Sequence, residues 1–273
     1  MEWELRDIYA TTIRYWRAAP SEAMRYNTLM RIIFLDTETT GNSDKDRLCQ
    51  LAVKERYVDE PLVNALYKPP VPISIESMAI HHITEKMVAE KPAFTDAPEY
   101  PGLKDLLESD EVLLVAHNAA FDLSMLAREG VTPRRSICTY KVAYALDPDD
   151  LLPNYRLQYL RYLLDLDVEA EAHDALGDVL VLEALFERLM DKMKERHGTE
   201  EAALQAMLAI SARPLLFTTI RFGKYNGKKL EEVAKTDRSY LEWLLAEKEK
   251  EPATETDWIY TLKHYLGKGE EGK

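Results

Sequence analysis

Short apolar runs that end in acidic or polar residues constrain the fold of this chain more than any other feature. Residues 31–36 read RIIFLD, and a short, β-branched run of this kind is typical of a buried strand. A second run, Val112–Ala116, is followed by a helical stretch at Ala119–Arg128, and a third strand candidate lies at Ser136–Cys138. Strands and helices in this order predict an α/β fold, a mixed sheet with helices on its faces.

Periodicity and proline positions predict the other elements of the same region. Three prolines between residues 69 and 72 separate extended stretches from a helical one, and Pro153 directly precedes another helix. We predict extended segments at Leu48–Tyr57 and Leu62–Tyr67, helices at Ser74–Ala89, Leu103–Leu107, Asn154–Leu164 and His173–His197, and a loop at Pro92–Gly102.

The chain divides into four parts. Residues 1–29 have one apolar helical face and predict a helical extension, although Met30, directly before the first strand, leaves a later start of the protein open. Residues 30–197 form the main domain. Residues 198–268 hold a linker helix and a small α+β module, and residues 269–273 are predicted to be a disordered tail.

Within the third part, Thr199 is predicted to cap the linker helix, which runs to about Ala212. Leu215–Ile220 is a strand candidate, and two helices are predicted after a glycine turn.

The charge balance excludes some classes of partner. The chain has 48 acidic and 35 basic residues and a net charge of −13. This argues against a protein that coats long stretches of duplex, because such binding neutralises phosphates over a wide surface. A cleft filled with metal ions can still grip a few nucleotides, since the ions supply positive charge.

Cysteine content and hydropathy indicate where such a chain works. Cys49 and Cys138 are too few for a disulfide framework or a four-thiolate zinc site. No apolar run is long enough to span a membrane, and the acidic residues near the N-terminus are unlike a secretory signal. We therefore expect a cytoplasmic protein with no membrane partner.

The first apolar run ends in two acids that can share a cation. Side chains alternate along a strand, so Asp36 and Glu38 project to the same side. Two neighbouring carboxylates repel each other, and a divalent cation between them removes that repulsion. An Asp-x-Glu pair is common, and alone it is more typical of a solvent-facing acidic strand end than of a functional site.

Two later stretches add acids at similar positions. AHNAAFD places Asp122 about one turn into the helix that follows the second strand. HDALGD places Asp178 in an otherwise apolar helix, where a lone carboxylate is costly unless it is paired or metal-bound. His173 is expected to project from the preceding loop, and Asp174 is interpreted as a helix cap or a first-turn acid and is not counted among the site acids.

Together these residues resemble the DEDD-type 3′–5′ exonucleases of the histidine subtype. Asp36 and Glu38 match the first motif, Asp122 the second, and Asp178 the third, with His173 as its base. The resemblance covers residues 31 to about 190. It implies a ribonuclease H-like mixed sheet flanked by helices, and a phosphodiester hydrolase that acts on 3′ ends.

Several longer segments are similar to the exodeoxyribonuclease X family within that superfamily. They are ISIESMAIHHITEKMVAEKPAF (Ile73–Phe94), ICTYKVA (Ile137–Ala143), Phe217–Leu245 in the C-terminal module, and TLKHYL (Thr261–Leu266). The chain departs from the family in its first 29 residues, in the TTG of the first motif and in a longer loop at Asn42–Asp46.

The resemblance implies a mechanism with two Mg²⁺ or Mn²⁺ ions. It assigns Asp36 to both ions, Glu38 and Asp178 to the ion on the nucleophile side, and Asp122 to the ion on the leaving-group side. His173 is implied to be the general base for the attacking water. The expected products are nucleoside 5′-monophosphates released from DNA 3′ ends, in DNA repair.

Residues beside the acids are candidates for holding the terminal nucleotides. They are Thr39 and Gly41 for the last sugar, His117 and Asn118 for phosphates, and Met78, Ile80 and His81 for the terminal bases. Core packing is the alternative, above all for Met78 and Ile80. A single-stranded or frayed 3′ end fits such a cleft, because stacking on the protein replaces pairing.

A local basic patch marks the C-terminal module. Its members are Arg213, Arg221, Lys224, Lys228 and Lys229, with Tyr225 between them. One interpretation is a surface that holds DNA, and the other is a basic turn that docks on the acidic main domain. Tyr240, Trp243 and Leu244 have helical spacing and are predicted to be core.

Other functions remain open from the sequence. They are the proofreading subunit of a replicative polymerase with residues 1–29 as a docking element, an exonuclease that trims RNA, and a nucleic-acid-binding protein without catalysis. RNA is open because the sequence has no clear rule for the 2′-hydroxyl group. The sequence also leaves a homodimer open.

Overall fold

A computed structural model of the protein describes residues 30–169 and 174–268. The predicted N-terminal helix (1–29), the tail (269–273) and His173 therefore lie outside the described residues.

The centre of the described structure is a five-stranded mixed sheet. Its strands are β1 (Arg31–Thr39), β2 (Leu48–Glu55), β3 (Val63–Leu66), β4 (Val112–Ala116) and β5 (Ser136–Cys138), in the spatial order β3-β2-β1-β4-β5. β1 is antiparallel to β2 on one side and parallel to β4 on the other. β5 pairs with β4 and is parallel to it. The predictions of these five strands are confirmed, and the long central strand β1 carries the first two candidate acids.

Helices cover both faces of the sheet and form most of the C-terminal module. They are α1 (Ile75–His81), α2 (Glu85–Val88), α3 (Tyr100–Leu107), α4 (Ala120–Arg128), α5 (Thr139–Leu146), α6 (Leu157–Leu163), α7 (Ala175–His197), α8 (Glu200–Ser211), α9 (Leu230–Thr236), α10 (Arg238–Lys248) and α11 (Thr256–Tyr265). Two short 3-10 turns lie at Phe94–Asp96 and Gly223–Tyr225.

The predicted single helix at Ser74–Ala89 is wrong, because the chain reverses at His82. His82 has a left-handed backbone (φ 61°) and ends α1, and α2 begins only at Glu85. The amide of Ile83 donates to the ring of His81 (3.0 Å), and this bond holds the turn. The stretch from Ser74 to Ala89 favours a helix locally, but the hydrogen bond between the Ile83 amide and the His81 ring favours a turn at this point.

Alternation along β1 builds two separate cores. Ile32 and Phe34 face α7, where the rings of Phe34 and Phe186 meet edge to face at 5.4 Å. Ile33 and Leu35 face the opposite side and pack in the core that includes Leu126 of α4. As a result, residues 36 and 38 point toward the α7 side and residue 37 points toward the α4 side.

The C-terminal module packs on the main domain through aromatic rings. Phe217 contacts Tyr144 (5.4 Å between ring centres) and Trp258 (4.7 Å). The predicted strand at Leu215–Ile220 is reduced to a single antiparallel bridge between Thr219 and Lys229. Three helices, α9 to α11, stand where two were predicted.

The helix predicted after Thr199 is confirmed as α8, and the Thr199 hydroxyl caps it by accepting from the amide of Ala202 (3.1 Å). In the described ranges no helix combines the length and the apolar character that crossing a membrane requires.

Candidate active site

Three of the four predicted metal-binding acids converge at one point. Carboxylate oxygens of Asp36, Glu38 and Asp178 all lie within 4.8 Å of one another. The first two come from the end of β1 and the third from the first turn of α7. Residues far apart in the chain therefore form one acidic cluster, hereafter the acid cluster (Asp36, Glu38 and Asp178).

Hydrogen bonds between β2 and the start of α7 fix the position of Asp178. The Gln50 side chain, opposite Glu38 in the β1–β2 register, donates to Asp174 (2.9 Å) and accepts from the Ala175 amide (3.4 Å). Asp174 in turn accepts from the amide of Gly177 (3.2 Å), so its predicted role as helix cap is confirmed. These bonds hold the first turn of the helix against the sheet.

Burial and mutual repulsion disfavour the charged form of these acids. Burial raises the pKa of Asp36 well above its usual value, and the charges of Asp122, Asp178 and Glu38 raise it further. Burial and the charges of Asp178 and Asp122 raise the pKa of Glu38 to about 8. A bound cation would reverse this balance, since opposite charge favours the carboxylate form.

Asp122 reaches the site from the other face of the sheet. It is buried on α4, and the Thr37 hydroxyl donates to its carboxylate (2.7 Å). Burial raises the pKa of Asp122 to about 7, although the hydrogen bond from Thr37 lowers it in part. Its charge acts on both Asp36 and Glu38, so Asp122 lies beside the acid cluster without sharing its common point.

The donor set fits a hard divalent cation. Mg²⁺ and Mn²⁺ prefer oxygen ligands, and the acid cluster offers three carboxylates within reach of one ion. Asp122 adds a fourth carboxylate nearby. The prediction of metal ligation by Asp36, Glu38, Asp122 and Asp178 is compatible with this arrangement, and the predicted base His173 lies outside the described residues.

The loop after β1 is organised by Asp46. Its carboxylate accepts from the Thr40 hydroxyl (2.7 Å) and from the Ser43 amide (2.8 Å). A side chain at Gly41 would place its Cβ 2.5 Å from this carboxylate, so glycine lets the loop close on itself. The Thr39 hydroxyl donates to the Gly41 carbonyl (2.7 Å), so these two predicted sugar contacts stabilise the turn next to the acid cluster.

The residues of α1 that were predicted to contact the terminal nucleotide bases differ in how far they are buried. His81 is buried, its Nε2 donates to the Thr39 carbonyl (3.2 Å), and it ties α1 to the end of β1. Met78 packs in part against a small core, as the alternative reading expected. Ile80 is 53% exposed beside them, so its side chain remains available to a ligand.

His117 and Asn118 follow β4 and differ in accessibility. The Nε2 of His117 donates to the Tyr155 carbonyl (2.9 Å), and its Nδ1 accepts from the Thr139 hydroxyl (2.9 Å). Burial lowers the pKa of His117 to about 4, so the ring is neutral. Both ring nitrogens are used inside the protein, whereas Asn118 is exposed with a left-handed backbone (φ 58°) that asparagine tolerates.

One polar contact of the acid cluster was missed by the sequence analysis. The Gln158 side chain on α6 donates to the Asp178 carboxylate. A glutamine on an amphipathic helix has no pattern that distinguishes it from a surface residue, so no local signal pointed to this contact.

The predicted basic patch splits between two surfaces. Arg221 forms an ion pair with the buried Asp150 of the main domain, and Lys229 lies 3.8 Å from the same carboxylate. Lys224 and Lys228 are more than half exposed and pair within the module, with Asp237 (3.0 Å) and Glu232 (3.8 Å). Arg221 therefore fits the interpretation of a basic turn that docks on the main domain. Lys224 and Lys228 remain candidates for a surface that holds DNA.

The prediction that Tyr240, Trp243 and Leu244 are core is partly wrong. Leu244 is buried, but Trp243 is 56% exposed. Tyr240 is intermediate in exposure. Its ring centre lies 4.9 Å from that of Tyr225 and 5.6 Å from that of Trp243.

Comparison with known protein families gives two matches along this chain. Residues 33–186 match the exonuclease family, and residues 220–249 match the exodeoxyribonuclease X-like C-terminal family. The first match contains the acid cluster and Asp122, and the second begins beside Arg221.

Individual relatives agree with the family matches. Exodeoxyribonuclease 10 of Escherichia coli (strain K12) is 37% identical over 243 residues, which cover 87% of this chain and 99% of that protein. A solved structure of exonuclease X in complex with 5′-overhanging duplex DNA has 31% identity and a TM-score of 0.52, covering 66% of this chain and 99% of that one.

A more distant structure supports the fold alone. The zinc-bound complex of E. coli exonuclease I with single-stranded DNA has 20% identity and a TM-score of 0.50, over 65% of this chain and 45% of that one. The matches in sequence and structure, together with the carboxylates that meet at the end of β1, show that the chain belongs to the exonuclease family and is of the exodeoxyribonuclease X type.

Proposed function

We propose that this protein is a metal-dependent 3′–5′ exodeoxyribonuclease that removes nucleoside 5′-monophosphates from DNA 3′ ends. The observation that carries the proposal is the acid cluster, with three carboxylates from two distant elements within 4.8 Å. Such a cluster is costly for the folded protein on its own, because each charge raises the pKa of its neighbours. Cation binding at this site would explain why the protein keeps an arrangement of acids that destabilises its metal-free fold.

The residues of the site have distinct roles in the proposed reaction. Asp36, Glu38 and Asp178 hold divalent cations, and Asp122, fixed by Thr37, completes the negative surroundings. Two such ions, when bound, stabilise the charge on the attacking and leaving oxygens of a phosphodiester. His173 takes the proton of the attacking water, a role suited to an imidazole near neutral pH.

DNA is the proposed substrate because of the relatives. A structure of exonuclease X that is 31% identical holds duplex DNA with a 5′ overhang, an arrangement in which the 3′ end is recessed. The exodeoxyribonuclease X-like module at 220–249 favours this type of enzyme over a polymerase proofreading subunit. Lys224 and Lys228 of that module are exposed and are proposed to contact the DNA backbone.

Digestion of end-labelled substrates tests the proposal. Single-stranded DNA and RNA of the same sequence, each labelled at the 5′ end, are incubated with the full-length protein and Mg²⁺. Parallel reactions contain EDTA or the Asp36→Asn variant. We expect a Mg²⁺-dependent ladder that shortens from the 3′ end of DNA and is absent with EDTA and with the variant.

Two outcomes would overturn parts of the proposal. A ladder mainly on RNA would keep the mechanism and replace the substrate. Equal digestion by wild type and Asp36→Asn would remove the acid cluster from the reaction. A second variant, Lys235→Ala, breaks an exposed ion pair on α9 and controls for unspecific effects of substitution.

A further inference from the structure

The segment from Asp150 to Gln158, which follows α5, connects the acid cluster to the C-terminal module. It begins with the buried Asp150, passes through Tyr155 and enters α6, which carries Gln158. Gln158 contacts the acid cluster, and Asp150 contacts the module. One short stretch of chain therefore lies between a metal-binding acid and a module outside the catalytic sheet.

Gln158 is oriented toward Asp178 by a second bond. Its amide nitrogen donates to the Asp178 carboxylate, and its amide oxygen accepts from the Arg161 guanidinium (3.3 Å). An amide donor restricts the rotation of a carboxylate and adds no charge to compete with a cation. Partners of this kind set the orientation of metal ligands, and their removal typically weakens metal binding about 10- to 100-fold.

Arg221 fixes the chain that leads into α6. Its guanidinium pairs with Asp150 and donates to the carbonyls of Leu152 (2.7 Å) and Pro153 (3.1 Å). It also lies over the Tyr155 ring, 5.0 Å from the ring centre. One side chain of the module thus contacts four residues of the segment just before the helix begins.

The same segment is also anchored to the end of β4 and to the end of α5. The Tyr155 carbonyl accepts from His117, which directly follows β4. The Tyr155 hydroxyl donates to Asp147 (2.7 Å) at the end of α5. Arg221 and His117 therefore both contact the segment that leads into α6, and we expect the position of Gln158 to depend on both.

We propose that Gln158 is a positioning residue for Asp178, and that Arg221 makes metal binding depend on the docked C-terminal module by fixing the segment that carries Gln158. The proposal rests on the proposed metal site and assigns to the module a role beyond DNA contact. Gln158 orients the carboxylate, and Arg221 acts through the backbone of residues 150–156.

Calorimetric titration of the full-length, metal-free protein with Mn²⁺ tests both steps. We compare wild type with Gln158→Met, which keeps the volume and loses the amide donor, and with Arg221→Gln. We expect Mn²⁺ affinity to fall about tenfold in Gln158→Met and severalfold in Arg221→Gln. Lys235→Ala, on the exposed face of the same module, keeps wild-type affinity.

Two further variants separate the possible failures. Asp178→Asn should abolish the titrated site, and wild-type binding by this variant would contradict the proposed metal site itself. If Asp178→Asn loses binding while a folded Gln158→Met keeps wild-type affinity, the metal site stands, and both the positioning role of Gln158 and the route from Arg221 through it are wrong.

Arg221→Lys tests the module even if Arg221→Gln fails to fold. Lysine keeps the positive charge but cannot reach the acid and both carbonyls with a planar group. We expect an affinity between those of wild type and Gln158→Met. Wild-type affinity in both folded Arg221 variants would overturn the link between the module and the site.

Discussion

The acid cluster and the surroundings of Asp150 both shield carboxylates from solvent at least in part, and they give these carboxylates opposite properties. At the acid cluster, burial and neighbouring acids raise the pKa of Asp36 and Glu38. Burial alone would also raise the pKa of Asp150, but hydrogen bonds from Arg221 and Thr218 outweigh it and lower the pKa. The difference lies in the neighbours, since Asp150 also has Lys229 nearby.

This difference separates a binding site from a structural contact. A buried carboxylate with its own basic partner is satisfied and holds two parts of the chain together. The charged residues that most raise the pKa of Asp36 and Glu38 are all acidic, so this site gains from a cation supplied from outside. Substitutions in the acid cluster should therefore lower nuclease activity, whereas substitutions at Asp150 should lower the stability of the fold.

The largest expected effect is on activity, from Asp36→Asn. We expect nuclease activity to fall by about three orders of magnitude or more, because cations at this position supply several kcal/mol of transition-state stabilisation. The metal-free variant should also be more stable than wild type at pH 8. An acid whose pKa is raised by folding lowers stability as pH rises, and asparagine removes that contribution.

Steady-state digestion rates and urea unfolding in EDTA measure both effects of Asp36→Asn. Glu195→Gln, at the far end of α7, serves as the control for each assay. A loss of activity accompanied by a loss of stability would mean that Asp36 supports the fold, as Asp150 does.

The opposite result is expected for Asp150→Ala. This change leaves Arg221 half-buried without its carboxylate, so the free energy of unfolding should fall by about 3 kcal/mol. Urea denaturation followed by circular dichroism measures the change. Asp110→Ala, which breaks an exposed ion pair with Arg134, should change stability by less than about 1 kcal/mol. Equal effects of the two substitutions would contradict the structural role of Asp150.

The lowered pKa of His117 predicts that the stability of the protein depends on pH. Its pKa of about 4 in the folded protein is below the value near 6.5 of an unfolded chain, because the ring is buried. The unfolded state therefore binds the proton first, and stability present above pH 6.5 is lost as pH falls toward 4. The loss due to this group should be about 3 kcal/mol by pH 4, of which about 2 kcal/mol falls between pH 7 and pH 5.

Urea unfolding of wild type and His117→Gln at pH 7 and pH 5 isolates that contribution. The variant should be less stable at pH 7 and should lose less stability between the two values. A steeper loss in the variant than in wild type would mean that the His117 ring is charged in the folded protein.

The smallest expected effect concerns Thr37, whose neutral hydroxyl stabilises Asp122. Thr37→Val removes the donor with little change of volume and should lower the free energy of unfolding by about 1 kcal/mol. Thr37→Ser keeps the hydroxyl and should retain more of this stability. Thermal unfolding of both variants makes the comparison, and a Thr37→Val protein as stable as wild type would show that the bond contributes nothing.

The sequence predicted the parts of the molecule that local patterns determine. The apolar runs at β1 and β4 specify buried strands, and the acids that follow them lie where strand and helix geometry puts them. The cap at Asp174 also follows from its neighbours in the chain. For these residues the physical cause acts over a few positions.

Other contacts could not be predicted because they join distant side chains. Arg221 and Asp150 are 71 positions apart, and nothing in a basic turn indicates which acid it meets. Gln158 and Asp178 are separated by 20 positions and lie on different helices. The break after His81 depends on its ring contacting Thr39, 42 positions away, so helical propensity alone gave one helix where two exist.

Anomalous diffraction from crystals of the full-length protein grown in saturating Mn²⁺ tests the central claim most directly. The account predicts an anomalous peak between the carboxylates of Asp36, Glu38 and Asp178, and its absence at the same position in Asp178→Asn crystals. Wild-type crystals with Mn²⁺ bound elsewhere and none at the acid cluster would contradict the proposed metal site.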